Sequence, residues 1–414
     1  MHAVRRQLAA IIVANAVCAS SYATDGYFQH GYGVKPQGAG GVGIALPQDA
    51  LAAAANPAGT AQVDDRADVG LTWFVPDRGA DITGSGAQVN GSYDGNGKKN
   101  FFLPEFGFSR HLAHDLAAGV AVYGNGGMNT VYESGIPLFG HGTAGVNLEQ
   151  LFVSPSLAWK PNENHSVGAA VNFAYQRFEA KGLQNFDPGF TTSPGNVTNN
   201  GTDTSTGWGL RLGWIGRVLQ DLDLGLTWSS KIHATKFDKY KGLFADAGGF
   251  DIPENYGIGL AWAAAPAVTL AADVERIRYG EVRSIARTLA SIANGLGAAD
   301  GPGFGWKDVT VFKLGALYRL DERVTLRVGY NHSGQPIPAD QTLFNILAPG
   351  VVQDHFSLGG TVKVGASGEL SVAYTHAFKK TVSGSNSIPP GFGGGNANIH
   401  LEENVFGLAY GWMY

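Results

Sequence analysis

Residues 208–214 read Trp-Gly-Leu-Arg-Leu-Gly-Trp, and the order of these residues decides the fold. Trp208, Leu210, Leu212 and Trp214 share one parity, while Gly209, Arg211 and Gly213 share the other. Successive side chains of an extended chain point to opposite faces, so this stretch is a strand with one apolar face and one small or polar face. The pattern returns at 222–229, where Leu222, Leu224, Leu226 and Trp228 oppose Asp223, Gly225, Thr227 and Ser229. It returns again at 324–331, with Val324, Leu326, Val328 and Tyr330 against Thr325, Arg327, Gly329 and Asn331. Phe406, Leu408, Tyr410, Trp412 and Tyr414 carry it to the last residue. A single strand of this kind fits a soluble sandwich equally well, so the connections have to separate the two architectures.

Working outward, the alternation predicts fourteen strands, near 67–77, 101–110, 115–124, 149–160, 164–178, 206–219, 221–232, 253–264, 266–276, 307–320, 323–333, 353–366, 368–378 and 402–414. Long connections (78–100, 125–148, 179–205, 233–252, 277–306, 334–352 and 379–401) then alternate strictly with tight turns of one to four residues. A soluble all-β protein has no reason to sort its loops this way. An antiparallel transmembrane β-barrel does: turns gather at the periplasmic rim and long loops at the outer rim. The expected fold class is therefore all-β, a 14-stranded barrel over 66–414 in the outer membrane of a Gram-negative bacterium.

Composition agrees. The 414 residues include 60 glycines, about twice the usual share of ~7%, while charged residues reach only 15% against a usual ~25%. No apolar run approaches the ~20 residues that a spanning helix needs, and mean hydropathy is −0.05. A formal charge of −5 with no basic run argues against nucleic-acid binding.

The N-terminus has two parts. Arg5 and Arg6, an apolar stretch from Leu8 to Val17, and Ser21-Tyr22-Ala23 form a secretory signal peptide over 1–23. Cleavage there removes Cys18, the single cysteine, so no disulfide framework is expected. Residues 24–65 do not alternate. They hold Gly31, Gly33, Gly38, Gly40, Gly41 and Gly43, an alanine run from Ala50 to Ala55, and Asn56-Pro57-Ala58. A small, nearly uncharged segment of this kind suits a hatch folded inside the lumen, where irregular backbone is walled by protein.

Signs of catalysis are poor. Gly38-x-Gly40-x-x-Gly43 has no strand–turn–helix around it, and no nucleophile elbow, P-loop or His-Glu-x-x-His occurs. Eleven dispersed His form no metal set, so no catalytic residues, metal or cofactor are expected. By parity, Arg211, Arg217, Lys231, Lys313, Arg319, Arg327 and Lys363 point inward, as do Asp223, Asp273, Glu275 and Glu369. Mutual pairing explains most of them. The long loops are unusually apolar, as with Phe237, Tyr240, Leu243, Phe244 and Phe250, and Ile285, Leu289, Ile292 and Leu296 are spaced like one helix face. Such loops form a lid or a capture site for a hydrophobic ligand.

Several stretches in order resemble the FadL-like family of outer-membrane long-chain fatty-acid transporters. They are the glycine-rich start, Asn56-Pro57-Ala58, Pro155-Ser156-Leu157-Ala158-Trp159, Trp306-Lys307-Asp308, Thr325-Leu326-Arg327-Val328-Gly329-Tyr330, Pro336-Ile337-Pro338-Ala339 and Gln353-Asp354-His355-Phe356. The resemblance implies a hatch-plugged barrel, a capture groove among outer loops, an apolar pocket beside the hatch, and lateral release through a kinked third strand. Gly124, Gly126 and Gly127 are the candidates for that opening. It further implies a carboxylate site, for which Arg177 and Lys307 occupy the matching positions. Lys307 has the parity of Lys313 and is expected to point inward. Arg177 has the parity of Phe173 and Tyr175, so facing the lumen requires a bulge. Implied partners are a long-chain fatty acid or another hydrophobic small molecule, outer-membrane lipid and the barrel-insertion machinery, with no nucleic acid. An uptake channel for aromatic or alkane hydrocarbons, a general porin and a barrel lipase remain alternatives.

Overall fold

The alternating stretches all become strands. The computed structural model describes residues 25–187 and 189–414, and the leader expected at 1–23 lies outside them. In chain order the strands are β1 (Arg66–Thr83), β2 (Gly91–Asp94), β3 (Phe101–His111), β4 (Leu116–Asn129), β5 (Gly145–Asn162), β6 (His165–Lys181), β7 (Asp203–Leu219) and β8 (Leu222–Ser229). There follow β9 (Asn255–Ala265), β10 (Val268–Ile277), β11 (Val309–Arg319), β12 (Val324–Ser333), β13 (Asp354–Val364), β14 (Gly368–Val382) and β15 (Asn396–Met413). Apart from β2, a short strand folded onto the end of β1, each strand pairs antiparallel with its sequence neighbour. β15 pairs with β1 from Arg66↔Met413 to Thr83↔Asn396, which closes fourteen strands into a barrel.

Trp208, Leu210 and Leu212 are 64%, 41% and 47% exposed, whereas Arg211 between them is 3% exposed. The apolar parity therefore faces outward to lipid, and the small or charged parity faces a filled interior. Several strands run further toward the long loops than their apolar alternation does: β1 reaches Thr83, β4 Asn129 and β14 Val382, while β5 begins at Gly145 and β15 at Asn396. Backbone pairing continues past the bilayer there, where no lipid demands an apolar face. β8 is shorter than expected and ends at Ser229.

Residues 25–65 fill the lumen as short turns of helix, at Val34–Gln37, Ala52–Ala54 and Pro57–Ala61, joined by irregular chain. Their polar groups reach the wall on all sides. The Gly43 and Ile44 amides donate to Asp273 Oδ2 on β10 (2.7 and 3.1 Å), and the Val34 amide donates to Glu105 on β3 (3.1 Å). Lys35 pairs with Glu369 on β14, which also holds Arg66. Asn56 Nδ2 is shared among the carbonyls of Ile44, Trp214 and Leu226 at 2.7 to 3.2 Å, while its Oδ1 caps the Ala58 amide. Lumen glycines make room for this chain: a side chain at Gly213 would collide with Asn56, and one at Gly329 with the Ala39–Gly40 backbone.

Candidate functional site

Two features of the wall and the lid define the site. At the outer end, loop side chains such as Phe139, Phe237, Phe250, Ile285 and Leu343 are buried together in one apolar cluster. The loops thus form a lid, and within it lies a pocket whose lining includes Phe178, Phe186, Phe244, Leu296, Phe304 and Phe344. Ser284 is the polar side chain in this lining, and its hydroxyl donates to the Gly249 carbonyl (2.5 Å).

The second feature is a seam in the wall. β3 and β4 pair only from Phe106↔Val122 to His111↔Ala117. Beyond Val122, β4 continues to Asn129 paired with β5 alone, and Asn125 is an extra residue between Gly124↔Leu151 and Gly126↔Gln150. This bulge turns the end of β4 away from β3. The hatch takes the vacated edge: the Gly127 amide donates to the Tyr27 carbonyl (2.9 Å) and the Gln29 amide to the Asn125 carbonyl (3.1 Å), and Phe28 bridges to Gly126. Any side chain at Gly126 would strike the Tyr27 carbonyl. Asn125 itself points inward, receiving the Tyr32 hydroxyl (3.0 Å) and donating to Gln150 (3.0 Å). The three glycines therefore belong to the strand rather than to the loop after it.

One loop residue joins lid and hatch. The Tyr279 hydroxyl donates to the Asp25 carbonyl (2.5 Å) and accepts from the amides of Tyr27 (3.1 Å) and Phe28 (3.3 Å). Its ring lies against Trp306, whose indole N–H donates to Asn345 (2.6 Å). Between lid and seam is a narrow recess bounded by Phe74 and Arg78 of β1, Met128 of β4, the 348–350 loop, and Leu401 and Glu403 of β15.

In the hatch, burial pushes the Asp25 carboxyl up to about 7, with Lys313 opposing the shift and Glu275 adding to it. Burial, reinforced by the neighbouring Asp68, pushes Asp49 up to about 6. Lys313 lies 3.0 Å from Glu275 and 3.8 Å from Asp25.

The sequence-derived carboxylate pair is not brought together. Arg177 is on the outward parity of β6, with no register shift beside it, and pairs with Glu149 across the β5–β6 ladder (3.3 Å). Lys307 precedes β11, which begins at Val309, and is exposed; the inward direction expected from strand parity does not apply, because the residue is not in the strand. The inward parity holds for Arg211, Lys313, Arg327, Asp273 and Glu369, which are buried against or beside the hatch, while Arg217, Arg319 and Lys363 are exposed at the turn rim. Arg78, Tyr279 and Glu403 were not singled out by sequence. Arg78 lies on a strand end beyond the apolar alternation, Glu403 is on the inward parity of β15 inside the last strand read from the sequence, and Tyr279 is a loop aromatic.

A plugged, closed barrel with an apolar outer pocket is the architecture that the sequence resemblance implied. The family described as outer membrane protein transport protein (OMPP1/FadL/TodX) matches residues 12–412. The chain belongs to this family. It is an outer-membrane transporter of hydrophobic compounds in a Gram-negative bacterium. A Pseudomonas aeruginosa FadL homologue aligns with a TM-score of 0.72 at 18% identity, covering 94% of this chain and 99% of the other. The P. putida toluene transporter TodX aligns at 0.69 with 16% identity, and the Ralstonia pickettii toluene transporter TbuX at 0.66 with 18%; each covers 93% of this chain and 99% of the other. Among curated proteins no sequence match is found. At such identities the solved structures establish the shared fold.

Proposed function

We propose that the protein passively carries hydrophobic molecules from the lid pocket, through the recess beside the hatch, and sideways through the β3–β4 seam into the membrane. The observation that carries this is the lining of the lid pocket, where no charged side chain takes part and the serine hydroxyl is already engaged. Transfer into such a lining contributes about 0.8 kcal/mol per buried CH₂, and it spares the molecule the polar layer outside. The lumen below is filled by the hatch, so a general water-filled pore fits poorly. Lateral release through the seam lets the molecule pass from protein directly into lipid. Tyr279 would couple lid to hatch, because a lid that closes on a ligand moves the residue holding Asp25, Tyr27 and Phe28.

Neutral hydrocarbons suit this lining best, and two solved relatives are toluene transporters by name. A long-chain fatty acid is the second reading, which the resemblance to the FadL-like family supports. Phe344 lines the lid pocket and is half-buried, so Phe344→Asp is tolerable for folding and puts a charge in the apolar lining. Hydrocarbon affinity, read by titration of purified protein, should fall about tenfold or more. Unchanged affinity would place binding elsewhere. Lys307→Ala tests the fatty-acid reading: a loss confined to the fatty acid, against a hydrocarbon of equal length, assigns the carboxylate to this exposed lysine, and equal affinities remove that role.

A further inference from the structure

Of the buried polar atoms with no hydrogen-bond partner among the described residues, five lie on one rung of the wall. They are Asn331 Oδ1, both ring nitrogens of His355 and both carboxylate oxygens of Glu403. In the paired strands Asn331 faces His355, His355 faces Ala377, and Ala377 faces Glu403. Glu403 is 0% exposed and lines the recess described above, whose other walls include Phe74, Met128 and Leu401. Leaving a buried carboxyl without a hydrogen bond is costly, and such a group in a native fold calls for a partner that the described residues do not supply. Arg78 lines the same recess, but its Nε donates to the Asn129 carbonyl (2.7 Å) and its Nη2 to Lys98 O (2.7 Å) and Asn129 Oδ1 (2.6 Å).

These two side chains select by charge. A carboxylate in the recess meets Glu403, and an ammonium meets Arg78. A neutral hydroxyl both donates and accepts, so it satisfies the Glu403 carboxyl in either protonation state. We infer that the recess is a subsite for a hydroxyl on an otherwise apolar transported molecule, an alcohol or phenol, with the hydroxyl bound to Glu403 and the hydrocarbon body against Phe74, Met128 and Leu401. The inference rests on the transport reading and narrows its substrate class.

The test titrates purified full-length protein with an alkane, a primary alkanol and an alkanoate of equal chain length. Wild type should bind the alkanol about tenfold more tightly than the alkane, and more tightly than the alkanoate. Glu403→Leu should erase the alkanol's advantage, while Glu403→Gln, which keeps an acceptor oxygen, should retain part of it. Should Glu403→Leu not fold, Met128→Trp, which fills the apolar wall, should lower alkanol affinity in its place. Equal binding of alkanol and alkane by wild type, or an advantage that survives these substitutions, would overturn the inference and leave hydrocarbon transport standing. Failure of all three ligands to bind would overturn both.

Discussion

Asn56 shows what one side chain does for the plug. Its amide group reaches the carbonyls of Trp214 and Leu226, and its oxygen caps the turn at Pro57–Ala61. Asn56→Ala removes these bonds and leaves the Ile44 carbonyl and the Ala58 amide of the hatch without this partner in a buried place, so stability should drop by about 1–3 kcal/mol, measured as a lower midpoint of thermal unfolding. Tyr279→Phe removes three hydrogen bonds to the first described residues of the hatch while keeping the ring against Trp306. Its expected effect is a rise in ion leakage across planar bilayers; no change in leakage would uncouple Tyr279 from the gate. The sequence made some of this legible. Asn56-Pro57-Ala58 could be marked as part of the hatch, since Asn before Pro opens a turn. Arg177 and Lys307 were marked by matched position; parity read Arg177 as outward, as found, and failed for Lys307 because that residue lies before β11. Glu403 had no local signal, because its surroundings come from β1, β4 and the 348–350 loop, all distant in sequence.

The elements show where periodicity is informative and where it stops. Inside the bilayer, lipid on one side and hatch on the other enforce alternation, and all fourteen barrel strands could be read from it. At the outer ends that demand lapses, which is why β1, β4, β5, β14 and β15 run further than the pattern. The seam lies in that region. Gly124, Gly126 and Gly127 marked it as a weak place, but the missing β3 pairing and the substitute strand at Tyr27–Gln29 depend on chain far away. Gly126→Val should displace the hatch strand by direct collision with the Tyr27 carbonyl. Bilayer conductance should rise, and hydrogen exchange at the Gln29 amide should lose protection; a tight, protected variant would show that the hatch does not depend on this edge. The hatch carboxyls add a pH dependence. Asp25 and Asp49 have folded values raised to about 7 and about 6 by burial. Their contribution to docking is full below the ordinary carboxylate range and is lost as pH rises through those values. Leakage should therefore increase from about pH 4 to about pH 7, and Asp25→Asn should flatten the upper part of that rise.

At the scale of the whole molecule, lid, recess and seam lie along one route from outside to lipid, with the hatch blocking the straight path through the barrel. The central claim is that cargo leaves through the wall. Leu103 on β3 faces Gly124 across the seam, where a Cβ placed on Gly124 would lie 2.9 Å from the Leu103 side chain. The Leu103→Cys, Gly124→Cys pair can therefore be oxidised to a staple, in a mature chain with no other cysteine if the leader is removed at Ala23. The measurement is uptake of a labelled hydrocarbon by cells carrying this variant, with and without reductant. The account predicts that the oxidised protein binds hydrocarbon but transports little, and that reductant restores transport. Uptake at the same rate with the seam locked would contradict lateral release.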